Sequence, residues 1–327
     1  MQLQEISPNT AIEWKRCADV PVRWYRPQVV MSGQKLYAGG GVTGDLDMFT
    51  ILEYDLLTDN WKLHSQSKVV LYGLSYFQGQ LITVGGCNID RISASVSSYE
   101  QQNKKWEEKL PSMPTARSTP TVVSTDTAII VCGGAVLDDC VQPVPSKVVE
   151  IYNSETSQWY GSSQLLHPYA AAPSVVIGDH CFLVGEATEI DGSRKVTYAN
   201  IKDLVSLRSQ REDPAQTAST SSSSELQVWK ELPECPLIGS AAVCIHGALL
   251  TLGGDDNTKE DVTTVNHVHT FVPQTNSWIE LKYGALPEAL SGSTAAQLVD
   301  NRVVIVGGSG PDDENSVAMF IGTVHIV

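Results

Sequence analysis

A short apolar run ending in two glycines recurs along this chain, and few folds are open to a chain built of such copies. Five copies are intact: Leu36-Tyr37-Ala38-Gly39-Gly40, Leu81-Ile82-Thr83-Val84-Gly85-Gly86, Ile129-Ile130-Val131-Cys132-Gly133-Gly134, Leu249-Leu250-Thr251-Leu252-Gly253-Gly254 and Val303-Val304-Ile305-Val306-Gly307-Gly308. A degenerate sixth, Cys181-Phe182-Leu183-Val184-Gly185-Glu186, stands between the third and the last two. Six tryptophans interleave (Trp14, Trp61, Trp106, Trp159, Trp229 and Trp278), each 24 to 29 residues ahead of the next glycine pair. Such self-similarity marks a repeat architecture, in which each unit buries its apolar faces only against its neighbours.

Between glycine pair and tryptophan the pattern alternates and then turns. Ile51-Leu52-Glu53-Tyr54-Asp55 precedes Thr58-Asp59-Asn60-Trp61, and Val149-Glu150-Ile151-Tyr152-Asn153 precedes Thr156-Ser157-Gln158-Trp159. Period-two alternation of β-branched and aromatic residues reads as strand, and Asp/Asn/Ser/Thr clusters read as turns. Each unit then supplies four strands. Strand a follows the Trp segment, b ends at the glycines, c carries Tyr or Phe, and d carries Trp. Four antiparallel strands per period of roughly 50 residues predict an all-β, six-bladed propeller.

The blade pattern resembles the kelch repeat. The third unit matches it best, through Trp106-Glu107-Glu108-Lys109-Leu110-Pro111-Ser112-Met113-Pro114-Thr115-Ala116-Arg117, with echoes at Leu232-Pro233 and Leu286-Pro287. The resemblance implies one kelch propeller over 1–327, like the propeller of intracellular kelch-like proteins without their BTB and BACK domains. It also implies a role in protein–protein interaction, as a ubiquitin-ligase adaptor-like, scaffold or cytoskeletal module. Blade four departs from the pattern: Glu186 replaces the second glycine, and Trp159 to Trp229 is 70 residues. The excess holds a Ser/Thr tract too polar to bury itself, so a mobile c–d loop is expected over about 205–225.

The chain has one tryptophan segment too many at its start and one too few at its end. A strand around Thr10 to Cys17 is therefore expected to complete the last blade as its strand d, protecting edges that would otherwise be open. Leu3-Gln4-Glu5-Ile6 either adds a strand or hangs free.

Composition narrows the partners. A net charge of −15 disfavours nucleic acid and anionic membranes, which attract basic proteins. No apolar run approaches the roughly 18 residues of a membrane helix, and Met1 to Glu5 lacks the features of a signal peptide. The seven cysteines show no CxxC or Cys-His spacing, which fits reduced thiols and a cytoplasmic setting. The propeller is expected to be monomeric.

Chemistry is sparse in the sequence. Kelch-type oxidases and mutarotases make a central-channel enzyme for a small molecule or carbohydrate the alternative reading. However, the P-loop, GxSxG and HExxH motifs are absent. His267-Val268-His269 places two imidazoles on one face of the expected strand c, without an evident carboxylate or cysteine partner. No metal, cofactor or catalytic residue is therefore expected.

Binding is expected on the face that carries the b–c and d–a loops. The a–b turns on the other face are tight, as at Ser32-Gly33, Gln78-Gly79, Gly178-Asp179 and His246-Gly247. The b–c loops carry Asp45 and Asp47 in blade one, Asp255, Asp256, Glu260 and Asp261 in blade five, and Asp312, Asp313 and Glu314 in blade six. These three blades are consecutive in a closed ring, so their carboxylates should form one acidic sector that steers a partner with a basic segment. The basic candidates on the same face are Arg23 and Arg26 in the first d–a segment and Arg117 after the best-matched motif. For Arg117 a structural role, donating to loop carbonyls, is the stronger expectation.

Overall fold

Strand b of blade three, Ala128–Cys132, is buried along its whole length. A strand covered on both faces needs a neighbour on each side, which is the situation inside a ring of stacked sheets. The computed structural model describes residues 3–43, 46–88, 91–185, 194–207, 227–258, 261–312 and 314–326, the side chains of 46 and 47 excepted. It contains six four-stranded antiparallel sheets. In blade three, strands a to d are Thr121–Ser124, Ala128–Cys132, Val149–Asn153 and Gln158–Gly161. The strand a of each blade lies against the strand a of the next, all the way round. The fold is the expected six-bladed propeller.

The ring closes as the sequence suggests. Ala11–Arg16 pairs antiparallel with Met319–His325, setting Trp14 opposite Gly322. A Cβ on Gly322 would meet the Trp14 ring at 2.7 Å. Four of the other tryptophans, Trp61, Trp106, Trp159 and Trp278, face large strand-c rings instead: Tyr54, Tyr99, Tyr152 and Phe271. The first residues neither pair as a strand nor hang free: Leu3 and Ile6 are buried, and the Gln4 N–H donates to Gly247 O at 2.9 Å.

Both repeat markers are ties between blades. Each of the six repeat tryptophans donates its indole N–H into, or just beyond, strand d of the preceding blade; the seventh tryptophan, Trp24, lies in a d–a segment. The six acceptors are Gly284 O, Ala18 O, Ser65 Oγ, Pro111 O, Ser163 O and Pro233 O, at 2.7 to 3.2 Å. The glycines tie forward. Gly134 N–H donates to Tyr169 O at 2.8 Å, and a Cβ on Gly133 (φ +59) would stand 2.5 Å from that oxygen. Gly86, Gly254 and Gly308 make the same bond, to Arg117, Leu290 and Trp24. In blade four the Arg194 guanidinium instead donates to Pro236 O at 2.8 Å.

The insertion of blade four begins with a short helix that the sequence did not announce. Ile201–Ser206 is capped by Asn200, whose side chain accepts from the N–H groups of Lys202 and Asp203. Leu204 is buried, and its carbonyl accepts from Ser162 Oγ at 2.9 Å. Residues 205 and 206 are thus helical rather than part of the expected loop, whose remainder from 208 lies outside the described residues.

Candidate partner-binding face

The b–c loops and d–a segments share one face, joined by short antiparallel bridges: Tyr25–Val42, Val70–Cys87, Ser118–Ala135, Ile238–Asp255 and Ser291–Ser309. Beside these bridges every d–a segment has one residue with left-handed backbone: Arg26, Leu71, Thr119, Ala171, Gly239 and Gly292. Their amides pass hydrogen bonds from blade to blade, Arg26 to Gly292, Gly292 to Gly239, Ala171 to Thr119 and Thr119 to Leu71, at 2.6 to 2.9 Å. The result is a backbone collar around the axis. Only glycine announces a left-handed position in sequence, so four of these six residues gave no signal.

Below the collar is an axial cavity of about 90 Å³. Its lining is mostly small: Ala170 to Pro173, Ser174, Ser240, Ala242, Ser293 and Ala295 among others. Arg26 is the one ionisable side chain among the described lining residues. A wider groove of about 460 Å³ opens on the same face at blade two, flanked by Lys68 and Arg91 and floored by Ser93, Ser95 and Ser97.

The acidic candidates divide into tied and open groups. Asp255 is half-buried and accepts from Thr264 Oγ1 (2.8 Å) and from Ser291 Oγ (2.6 Å) across the junction with blade six. Its carboxylate is occupied in holding two blades together. Asp256 accepts from the backbone and hydroxyl of Thr258. Asp261, Asp312 and Glu314 are exposed. Asp45, Glu260, Asp313 and the Asp47 side chain lie outside the described residues.

One basic candidate stands beside an acidic one on this face. Arg23 Nη1 lies 3.6 Å from Glu314 Oε2 and donates to Asn315 O at 3.2 Å. Arg26 rests its guanidinium over the Tyr25 ring, 5.3 Å from the centroid.

Arg117 is a correction to the list of partner contacts. It is fully buried, donates to the carbonyls of Gly133 and Val148 at 3.0 Å each, and pairs with the Glu150 carboxylate. Burial lowers its pKa from the usual guanidinium value, against the pull of Glu150. A guanidinium with no exposed surface cannot meet a partner. Its work is to satisfy carbonyls at the junction of blades two and three.

The paired histidines also differ from expectation in one respect. His267 and His269 lie on strand c of blade five (Thr263–Val272), and Glu280 on strand d (Ser277–Glu280) stands directly opposite His269. The carboxylate invisible in the local sequence is supplied by the neighbouring strand. Burial lowers the His269 pKa to about 4 despite Glu280, so the ring is neutral at pH 7.

Comparison with known proteins agrees with the geometry. No protein-family model matches the chain. Kelch-like protein 38 of Mus musculus is 24% identical over 204 residues, 58% of this chain and 34% of that protein. Kelch-like protein 41a of Danio rerio is 25% identical over 157 residues, 46% of this chain and 26% of that protein. Kelch repeat protein C2 of Vaccinia virus (strain Western Reserve) is 24% identical over 136 residues, covering 42% and 25%. The chain thus spans between a quarter and a third of these relatives' lengths. The solved structure of YjhT superposes with a TM-score of 0.70 over 94% of this chain and 99% of that one, at 14% identity, a likeness of fold.

Proposed function

We propose, from the premise that this chain is a kelch-repeat β-propeller, that it is a non-catalytic platform on which a protein or peptide docks against the b–c and d–a loops. The observation that carries this reading is the contrast between axis and face. Catalysis in the channel needs convergent acid–base groups. Among the described residues the axial lining offers one guanidinium, with no carboxylate or imidazole. The loop face offers instead a broad surface with a groove of about 460 Å³.

Exposed Asp261, Asp312 and Glu314 favour a partner with a basic segment, whose charge would steer encounter more than it would add affinity. Such a platform suits a monomeric substrate-recognition or scaffold module, with an adaptor role in a ubiquitin ligase or at the cytoskeleton as its specific form. Cysteines without ligand spacing fit a cytoplasmic setting. Among the described residues, no helix is long and apolar enough to cross a membrane.

The test is capture of partners from cell lysate, followed by titration of the tightest one. Reversing Asp261, Asp312 and Glu314 to Lys should weaken that complex about tenfold or more at low salt. Lys104→Glu, at a turn on the opposite face, should leave it unchanged. Equal affinity for parent and triple variant would remove this face as the docking site.

A further inference from the structure

We propose that His267, His269 and Glu280 form a binding site for one divalent transition-metal ion of the Zn²⁺ class, set on the outer strands of blade five. His267 and His269 are two apart on one strand, so the pleat turns both imidazoles to the same face. Glu280 is in register with His269 on the adjacent strand and therefore shares that face. One ligand atom from each lies within 4.8 Å of the other two, and His267 Nδ1 is 4.0 Å from Glu280 Oε2.

Ligand atoms at about 2.0–2.2 Å from a tetrahedral ion stand roughly 3.3 Å from one another. Modest side-chain rotation closes the set to that spacing. His267 and Glu280 are the members free to rotate, with side chains 43% and 53% exposed. His269 is the fixed member. Its backbone is paired on both sides, with Thr251 and with Glu280. Its Nδ1 is buried with no hydrogen-bond partner among the described residues, so no protein acceptor claims that nitrogen. Glu280 has no Lys or Arg partner among the described residues, which leaves its charge to a cation.

Two imidazoles and one carboxylate suit Zn²⁺ and leave a fourth position for water or a group from another molecule. The ion would also join strand d to strand c by a bond other than the ladder. The two histidines lie within strand c and Glu280 is the last residue of strand d; the site does not depend on the partner reading.

The experiment uses the whole chain, reduced, metal-stripped and carrying Cys140→Ser, because Cys140 is the exposed thiol. Titration with Zn²⁺ at pH 7.4 should fill one site per chain and raise the melting temperature. His267→Ala with Glu280→Gln should weaken that binding at least about tenfold, the loss that even an outer-shell partner can cause. The metal-free melting temperature should stay where it was, since both side chains are half exposed. Zn²⁺ uptake by the double variant equal to the parent's, or no uptake by the parent, would overturn the site. A second double variant, His267→Gln with Glu280→Asp, covers the case in which the first fails to fold.

Discussion

The tryptophans show how a residue type is chosen by two requirements at once. An indole fills the gap between sheets, and its buried N–H must also find an acceptor. Trp229 is 2% exposed and donates to Ser163 O at 3.1 Å. Trp229→Phe keeps much of the packing and strands that carbonyl, so it should cost about 1–3 kcal/mol, read as a lower denaturant midpoint with an unchanged slope. Glu53 makes a pH-dependent contribution. Burial pushes its pKa up, but the ammonium groups of Lys35 and Lys62, 2.7 Å and 3.1 Å from Glu53 Oε1, outweigh this, and the net shift is downward from 4.5. The folded state then binds its proton less readily than the unfolded chain, and stability is lost as pH falls below the ordinary carboxylate value. Glu53→Gln should flatten that part of the acid limb in thermal melts between pH 5 and about 3. Single residues of this kind were only half legible. The sequence marks Trp229 as a packing residue, but its acceptor 66 positions away belongs to another blade.

At the scale of strands and turns, glycines that look alike in sequence perform different tasks. Gly33 and Gly133 share nearly the same backbone angle, φ +60 and +59. Around Gly33 there is open space, whereas a Cβ on Gly133 would press on Tyr169 O at 2.5 Å. Asn tolerates the left-handed region, so Gly33→Asn should cost less than about 1 kcal/mol. Gly133→Asn should cost about 3 kcal/mol or more, because backbone of the next blade must move. Chemical denaturation of the two variants side by side checks the pair, and similar midpoints would show that the blade junction yields easily. The strands themselves were legible, since alternation and turn chemistry are local. The helix at Ile201–Ser206 was not, because a buried Leu204 stabilises six residues that carry no strong helical pattern alone.

For the whole molecule, closure is the element on which cooperativity depends. Ala11–Arg16 supplies the last strand of blade six, Leu3 is buried in the core that blades four and five share, and Ile6 in that of blades five and six. Removing residues 1–17 should open an edge on blade six and uncover that apolar surface. The expected result is a broad, low-temperature melt in place of one sharp transition, and a truncated chain that melts like the parent would contradict this closure. The number of blades, the four strands in each, the order of the ring and the strand that shuts it can all be read along the chain. Those features depend on near neighbours and on a period repeated six times, and both are written linearly. What the charged groups do depends on how the sheets stack. The tertiary structure buries Arg117 against Glu150, ties Asp255 to Ser291 of the next blade, sets Arg23 beside Glu314 and brings Glu280 to two histidines. Charge acts through distance in space, and residues far apart along the chain become neighbours only when the sheets stack.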